Sequence, residues 1–325
     1  MANLRNLRIL VTGGAGFIGS HLADALLEMN NTVINYDNFS PYYSGKERNV
    51  KQNLKNEKYH LIKADIMDFE NLLQAMEGVD VVFHLAAQPG VRYSAEHPLE
   101  VSQVNIGGTI NVLEAARQRR VRKIIYASSS SIYGNLKYMP VSEEHPLNPI
   151  SPYGVTKLAG ERYCQVYAKL HGMDIVTLRY FTVYGPRQRP DMAIYKFVVR
   201  ILENKAPIVY GDGTQTRDFT YIDNIIQGTI AAAVVEGQAG EVFNLGGGRR
   251  TSVNDLLERL LKLCGKEDVI RPIYEQAKLG EVGDTHSDIS KARRILNYEP
   301  KKSLEECLSS FIEYYRSSLV TQKQK

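Results

Sequence analysis

Three glycines spaced three residues apart lie near the N-terminus, between an apolar stretch and an amphipathic one. Gly13, Gly16 and Gly19 follow the apolar run 8–11, which predicts a buried strand, and precede residues 20–29, whose periodicity predicts a helix. Glycine at these points permits a tight turn, a close approach of backbone to a pyrophosphate, and tight packing of helix on strand. Because the free N–H groups at a helix start attract anions, the loop predicts a dinucleotide site.

An acidic residue at the end of the second predicted strand narrows the choice of dinucleotide. The strand predicted over 31–36 is followed directly by Asp37, which lies 18 residues after Gly19. A carboxylate at this place accepts hydrogen bonds from the adenosine ribose and repels a 2′-phosphate. It therefore favours NAD over NADP, although an acid at a strand end is also common in loops.

Composition limits the classes of protein that this chain can belong to. Its 325 residues suffice for one large α/β domain and a smaller lobe. The chain has 40 basic and 36 acidic residues, and the resulting net charge of +4 is too small to predict nucleic-acid binding. Cys164, Cys264 and Cys307 are too far apart to indicate a disulfide framework or a zinc site, so we expect no metal. No apolar run reaches 18 residues, and we expect a cytoplasmic protein without a membrane segment.

Predicted strands and helices alternate through the first 180 residues, with two long helices over 99–119 and 152–171. Short strands rich in Val and Ile are typical of a parallel sheet covered on both faces, so we predict a doubly wound α/β sheet. We assign 1–180 to an NAD-binding Rossmann domain and 181–325 mainly to a smaller substrate-binding lobe. Sheet elements near 220–250 are expected to return to the first domain.

A tyrosine and a lysine four residues apart open the helix predicted over 152–171. Ser151 is a good N-cap and Pro152 suits the first turn. Tyr153 and Lys157 share one helix face, where an ammonium group favours the phenolate and lowers the pKa of the phenol. The same spacing occurs twice elsewhere in the chain, but only this pair opens a long predicted helix, and it predicts a general base.

Four consecutive serines, Ser128–Ser131, follow the strand predicted over 123–127. Hydroxyl groups at the carboxyl end of a strand point into the crevice where ligands bind in open α/β sheets. A serine-rich turn is the simpler interpretation, and the neighbouring motifs favour the site.

With these motifs the chain resembles the extended short-chain dehydrogenase/reductase family, and within it the nucleotide-sugar epimerases, over essentially its whole length. The motifs that carry the resemblance are Thr12–Gly19, Asp37, His84–Ala87, Ser128–Gly134, Tyr153–Lys157 and Arg217–Asp223. The resemblance implies Ser129, Tyr153 and Lys157 as catalytic residues and NAD as the cofactor.

Two sets of binding residues follow from the motifs and the resemblance together. The cofactor set is Gly13, Gly16, Phe17, Ile18, Gly19, Asp37, Asn38, Ser40, Asp65, Ile66, Leu85, Ala86, Ala87, Gln88, Asn105, Tyr153, Lys157 and Tyr180. The substrate set is Arg92, Ser130, Ser131, Thr182, Arg189, Ile208, Tyr210 and Arg217. Within it, Ile208 and Tyr210 are implied to contact uracil, and Arg217 the diphosphate.

Two stretches of the sequence bear on the sugar. Residues 88–94 and 179–193 resemble those of UDP-glucuronate 4-epimerases, whereas UDP-glucose 4-epimerases usually carry Asn where this chain has Thr182. The small hydroxyls of Ser130, Ser131 and Thr182 can hold a carboxylate, and Arg92 and Arg189 add positive charge. We therefore expect C4 epimerisation of UDP-glucuronate to UDP-galacturonate through a 4-keto intermediate.

Several alternatives remain at this point. The same hydroxyls can hydrogen-bond a neutral sugar, as in an epimerase of UDP-glucose or UDP-N-acetylglucosamine, and the two arginines can serve only to position loops or meet the diphosphate. Decarboxylases and dehydratases of the family place an acidic residue where this chain has Ser130–Ile132, which disfavours both. A non-catalytic NAD-binding sensor is disfavoured by the intact Ser129, Tyr153 and Lys157.

The resemblance leaves two further points open. Glu281 stands where we expect an arginine for the diphosphate, and a carboxylate cannot pair with that group. Family members are often homodimers through the helices here predicted over 99–119 and 153–171, so we expect a homodimer.

Overall fold

The computed structural model describes residues 4–277 and 283–323. The strands are β1 (Arg8–Thr12), β2 (Thr32–Asp37), β3 (Tyr59–Lys63), β4 (Val81–His84), β5 (Lys123–Ser129), β6 (Ile175–Tyr180), β7 (Thr182–Tyr184), β8 (Ile208–Tyr210), β9 (Thr216–Arg217), β10 (Phe219–Tyr221), β11 (Val242–Leu245), β12 (Thr251–Ser252) and β13 (Ile273–Glu275). The helices are α1 (Phe17–Glu28), α2 (Lys46–Val50), α3 (Phe69–Ala75), α4 (Val91–Glu96), α5 (Pro98–Ser102), α6 (Gly108–Gln118), α7 (Pro152–His171), α8 (Ala193–Leu202), α9 (Ile222–Val234), α10 (Val253–Leu263), α11 (Ser290–Leu296) and α12 (Leu304–Lys323).

Seven parallel strands form the central sheet in the order β11-β6-β5-β4-β1-β2-β3. The order reverses direction between β1 and β4, and in such sheets ligands bind in the crevice outside the carboxyl ends at the reversal. The prediction of a doubly wound parallel sheet is confirmed. The outermost strand, β11, comes from late in the chain and pairs with β6 from Val242 opposite Thr177 to Leu245 opposite Tyr180.

Strand β1 shows why the sheet is covered on both faces. Its side chains alternate, so Ile9 and Val11 contact one hydrophobic cluster and Leu10 the other. The first cluster includes residues of α1 and α9, and the second includes residues of α3, α6 and α7. A strand buried on both sides must be apolar throughout, which is the pattern that the sequence shows.

Two parts of the chain differ from the predicted elements. The helix predicted over 99–119 is interrupted by a π-helical turn at Gln103–Gly107, and such turns often occur at functional sites. Helices α8 and α9 lie after residue 180, beyond the part of the chain in which alternating strands and helices were predicted. Neither has a side-chain hydrogen bond at its N-cap, so the usual start signal of a helix is absent from both.

The later part of the chain also forms small sheets of two strands each: β7 with β10, β8 with β13, and β9 with β12. Each of these strands has only two or three residues. Helices α8, α10 and α12 contribute to the hydrophobic cluster behind them through Val198, Leu257 and Phe311. Among the described residues, no helix combines the length and hydropathy needed to cross a membrane.

Candidate active site

A cleft of about 610 Å³ opens at the carboxyl ends of the central strands. Every residue of the predicted cofactor set except Asn105 lines it. Lining residues that the sequence did not single out are Tyr36, Pro41, Tyr42, Tyr43, Lys46, Ala64, Pro89, Glu100, Val104, Ala127 and Ser128. Most are sequence neighbours of predicted residues, so proximity in the chain was the signal available to find them. The volume lies within the range of small-molecule and cofactor sites.

The glycine loop is shaped by close backbone contacts. Gly13 has φ of +70°, and a Cβ there would come within 2.8 Å of the Ala86 amide nitrogen. A Cβ on Gly19 would collide with the Gly13 carbonyl oxygen, which is where α1 packs against the loop. Because Gly16 caps α1 without a side-chain hydrogen bond, the N–H groups of the first turn remain available to an anion.

Asp37 holds the glycine loop to the end of β2. Its Oδ2 accepts from the Ala15 amide at 3.0 Å and its Oδ1 from the Phe39 amide at 2.8 Å. Burial raises the pKa of Asp37, while the charge of Lys46 and these hydrogen bonds oppose the rise. A carboxylate has about four lone-pair sites, so acceptor capacity remains for a ribose.

A buried polar chain supports the floor of the cleft. Asn105, on the π-helical turn, accepts from the Gln88 amide at 2.7 Å and donates to the Gln88 carbonyl at 3.1 Å and to Thr156 Oγ1 at 3.0 Å. Asn105 therefore positions Gln88 from behind rather than lining the cleft. Within the described residues, the buried Gln88 Nε2 has no hydrogen-bond partner. A buried donor without a partner, on a residue that lines the cleft, is consistent with a nearby polar ligand such as a dinucleotide.

His84 is a second support, placed at the end of β4. Its Nδ1 lies 2.8 Å from Thr12 Oγ1 and its Nε2 lies 3.0 Å from Thr109 Oγ1. Burial and the nearby charge of Lys157 lower the pKa of His84 to about 3. The imidazole is therefore neutral at working pH and serves to link β1, β4 and α6.

The predicted catalytic residues meet at the start of α7. Ser151 caps the helix by accepting from the Gly154 amide at 3.1 Å, and Tyr153 and Lys157 both line the cleft. The Lys157 Nζ donates to the Ala127 carbonyl at 2.7 Å. Burial lowers the pKa of Lys157 to about 8, opposed by the sulfur of Cys164 and the carboxylate of Glu161.

Tyr153 is subject to opposing effects. Burial raises its pKa, while the charge of Arg189 and a hydrogen bond with Ser129 lower it. The sequence predicts that Lys157 has this influence on the phenol. Arg189, which was predicted to contact substrate, lines the same cleft and is a further positive group that acts on the phenol. The influence of Lys157 on Tyr153 stays a prediction.

A buried ion pair lies near the predicted catalytic residues, and the sequence did not lead us to expect it. Arg179 donates from Nε and Nη2 to the two carboxylate oxygens of Glu161 at 3.0 and 2.9 Å. Glu161 also accepts from Ser128 Oγ at 2.6 Å, and Arg179 Nη1 donates to Tyr133 Oη at 2.7 Å. Glu161 is two helical turns after Tyr153, a spacing that could have signalled its position on the same face.

Two hydroxyl residues of the substrate set, Ser130 and Ser131, directly follow Ser129, the predicted catalytic serine. Ser129 Oγ caps the short turn Ser130–Ile132 by accepting from the Ser131 amide at 3.1 Å, and it donates to Ser131 Oγ at 3.1 Å. On the neighbouring strand, Tyr180 pairs with Ser129 in register. Thr182 begins β7 two residues later and pairs with Phe219 of β10.

Of the predicted substrate set, Arg189 lines this cleft, whereas the three hydroxyl residues and the remaining members, Arg92, Ile208, Tyr210 and Arg217, lie outside its lining. The Arg92 guanidinium on α4 lies over the ring of Tyr210, with its Cζ 5.0 Å from the ring centroid. Tyr210 is the last residue of β8, and Ile208 is the first. Arg217 Nη1 donates to the carbonyls of Thr216 and Gly283, at 2.9 Å each. Glu281 lies outside the described residues. Among those described, no group of three or more His, Cys, Asp or Glu side chains is placed to hold a metal.

Comparison with known proteins gives the same family throughout. Residues 9–246 match the model of the NAD dependent epimerase/dehydratase family. A Bacillus subtilis protein named "Uncharacterized UDP-glucose epimerase YtcB" is 42% identical, over 96% of this chain and 98% of its own. The UDP-glucuronic acid 4-epimerase of Bacillus cereus, solved with UDP-glucuronic acid and NAD, superposes with a TM-score of 0.92 at 42% identity, covering 96% of this chain and 100% of that one. The UDP-N-acetylglucosamine 4-epimerase of Methanobrevibacter ruminantium M1 has a TM-score of 0.90 at 34% identity, covering 97% and 99%.

Proposed function

The chain belongs to the NAD-dependent epimerase/dehydratase family, and from that premise we propose that it interconverts UDP-glucuronate and UDP-galacturonate. At the coarser level it is an NAD-dependent UDP-sugar 4-epimerase of the extended short-chain dehydrogenase/reductase type. The predictions of the family, of NAD and of a UDP-sugar substrate are confirmed at that level. The identity of the sugar and the role of each residue are our proposal.

The observation that carries the choice of sugar is the pairing of two hydroxyl-bearing strand ends. Ser129 and Tyr180 are partners in the sheet, so Ser130 and Ser131 lie beside the end of β6, from which Thr182 follows. Ser130 and Ser131 directly follow Ser129, and with the hydroxyl of Thr182, two residues after Tyr180, they would supply donors suited to a carboxylate on C5 of the sugar.

The proposed reaction begins with proton removal at C4. Tyr153, as phenolate, takes the proton of the C4 hydroxyl, and Ser129 hydrogen-bonds the C4 oxygen. Lys157, fixed by the Ala127 carbonyl, keeps positive charge beneath the phenolate. NAD bound in the cleft would accept the C4 hydride and return it, so the reaction needs no external redox partner. Between these events the 4-keto sugar turns its other face, and Tyr153 gives back the proton.

The 4-keto form of glucuronate is a β-keto acid, which loses CO₂ readily. Hydrogen bonds from Ser130, Ser131 and Thr182 would hold the carboxylate out of the alignment that favours that loss. The turn Ser130–Ile132 carries no acidic side chain. The site therefore favours epimerisation over decarboxylation.

One specific observation favours a neutral sugar as the second candidate. The Arg189 guanidinium is already paired with Asp191, at 2.9 Å from Nε to Oδ1 and 3.0 Å from Nη2 to Oδ2. An internal carboxylate weakens the attraction of Arg189 for a second one. UDP-glucose or UDP-N-acetylglucosamine would leave this pair undisturbed.

Proton NMR time courses with UDP-glucuronate, UDP-glucose and UDP-N-acetylglucosamine in parallel tubes, each with NAD, test the proposal. We expect UDP-galacturonate signals to grow without any pentose product. Turnover of a neutral sugar alone would overturn the choice of sugar, and a UDP-pentose product would make the enzyme a decarboxylase.

A matched variant tests the hydroxyl surface itself. Thr182→Val keeps the shape of the side chain and removes its hydroxyl, so we expect a lower kcat/KM for UDP-glucuronate and release of some UDP-pentose. Ser142→Ala, a hydroxyl change in a loop away from the cleft lining, is the control. Equal behaviour of the two variants would remove Thr182 from the carboxylate site.

We also propose a homodimer through α5 and α7. Apolar side chains on one sector of α7 are exposed, among them Val155, Val166 and Leu170, and Leu99 on α5 is 86% exposed. Tyr163 is 37% exposed on the same sector, while Tyr167 is half-buried. Sedimentation of the wild type and of Leu170→Glu would show dimer and monomer respectively, and two monomers would refute the proposal.

A further inference from the structure

Three side chains from two separate segments are joined at the edge of the cleft. Tyr42, in the segment that follows β2, donates from Oη to Asp191 Oδ2 at 3.2 Å. Asp191, in the loop after β7, accepts from Arg189 through both carboxylate oxygens. Tyr42 and Arg189 both line the cleft. We call this linked set the strap.

The Tyr42 end of the strap is anchored by packing. Its ring lies edge-on to the ring of Tyr93 with centroids 4.9 Å apart. Gly90 makes room for the phenol, because a Cβ there would come within 2.5 Å of the Tyr42 oxygen. The strap therefore rests on α4 and on the chain that precedes it.

The Arg189 end lies in the same cleft as the proposed base, Tyr153. The groups that act on Tyr153 are Arg189, from the loop after β7, and Ser129, from β5. Tyr126 of β5 is also near the phenol, and Lys157 of α7 lines the same cleft. Lys157 is held by a backbone carbonyl, whereas the Arg189 guanidinium is held by Asp191 through its Nε and Nη2.

We propose that the strap holds Arg189 beside Tyr153 as a second cation for the phenolate, with Asp191 and Tyr42 as positioning residues. The inference rests on the proposed role of Tyr153 as the base. It also assigns Arg189 a task independent of the sugar, since the phenolate forms with any substrate of this reaction. The electrostatic effect of Arg189 on Tyr153 is consistent with it, because that charge lowers the pKa of the phenol.

The test is a titration of Tyr153 in the NAD-bound enzyme without sugar. Tyrosine labelled with ¹³C at Cζ reports the phenolate by NMR, and the Tyr153 signal is the one lost in Tyr153→Phe. We expect Arg189→Gln to raise the midpoint by about one pH unit, a tenfold loss of phenolate at a given pH. Arg189→Lys, which keeps the charge, should restore most of the shift, and Tyr42→Phe should give a smaller rise in the same direction.

Arg162→Gln is the control, because it removes an equal charge from an exposed position on α7. A midpoint for Arg189→Gln no higher than that of Arg162→Gln overturns the proposal, as does an Arg189→Lys variant that behaves like Arg189→Gln. The acid limb of the pH profile of kcat/KM, measured with the UDP-sugar that the enzyme turns over, gives a second readout. It should shift together with the midpoint of the Tyr153 titration. Because the titration uses no sugar, failure of the UDP-glucuronate proposal leaves this result unchanged.

Discussion

The two halves of the site are built in different ways. The cofactor half lies on the ends of adjacent strands of one sheet, with short loops between strand and helix, and nearly all its predicted residues line one cleft. The proposed sugar half draws most of its residues from α4, β7, β8 and β9, which are separate small elements. A parallel sheet gathers its strand ends by geometry alone, whereas the sugar half depends on how the later segments fold over that edge.

The comparison predicts that losses in the cofactor half stop the reaction, while losses in the sugar half weaken binding. Tyr153→Phe removes the proposed base and should lower kcat about 10³-fold while the enzyme keeps its NAD. Coupled assays of turnover and absorbance of the released cofactor measure both quantities. Tyr163→Phe, on the exposed side of the same helix, is the control, and turnover that survived in Tyr153→Phe would remove Tyr153 as the base.

The next largest effect concerns the buried support of the cofactor half. Glu161→Gln leaves the Arg179 charge buried without its counter-ion, and we expect the free energy of unfolding to fall by about 3 kcal/mol. Denaturant unfolding measures it. Glu114→Gln breaks an exposed pair with Arg117 and should cost under about 1 kcal/mol. Equal losses for the two variants would contradict the assignment of Glu161 as a buried support.

The Lys157 ammonium should set an alkaline limit on activity. Since burial lowers its pKa to about 8, Lys157 is charged below that pH and neutral above it. We expect kcat/KM to fall about tenfold per pH unit above 8. A pH profile from 6 to 10 measures the limb, and Lys157→Arg should move it upward. A profile flat to pH 10 in the wild type would show that the Lys157 charge is not needed.

The smallest effect is expected in the sugar half. Tyr210→Leu removes the ring on which Arg92 stacks, and with it the implied contact with uracil. We expect KM for the UDP-sugar to rise about tenfold with kcat and NAD content unchanged. Tyr274→Leu, on the partner strand β13 and 52% exposed, is the control. A fall in kcat instead would show that the two halves are not separable in this way.

The sequence predicts the cofactor half well because local rules determine it. The Gly13 turn, the Ser151 cap and the alternation of strands and helices all act over a few residues, and the sheet carries their order into space. The surroundings of Tyr153 show the limit of such rules. Four-residue spacing places Lys157 near Tyr153, but only the folded chain brings Arg189, 36 residues after Tyr153, to the same cleft.

The sugar half is harder to predict for a physical reason. Strands of two or three residues are too short to show a period, and helices α8 and α9 begin without a capping side chain. The buried pair of Arg179 and Glu161 is also hard to predict, because each residue alone reads as an exposed charge and only the helical spacing of Glu161 indicates its position. The division of the chain at residue 180 and the individual contacts with UDP-sugar stay predictions.

Strand β11 has a consequence for how the protein is made. It covers the open edge of β6, and its last pair joins Leu245 to Tyr180, a residue that lines the cofactor cleft. During synthesis the ribosome must therefore release residue 245 of 325 before the sheet is complete. A fragment ending near residue 180 would expose the backbone of β6 to other chains, so the nascent cofactor half depends on a strand translated well after the rest of its sheet.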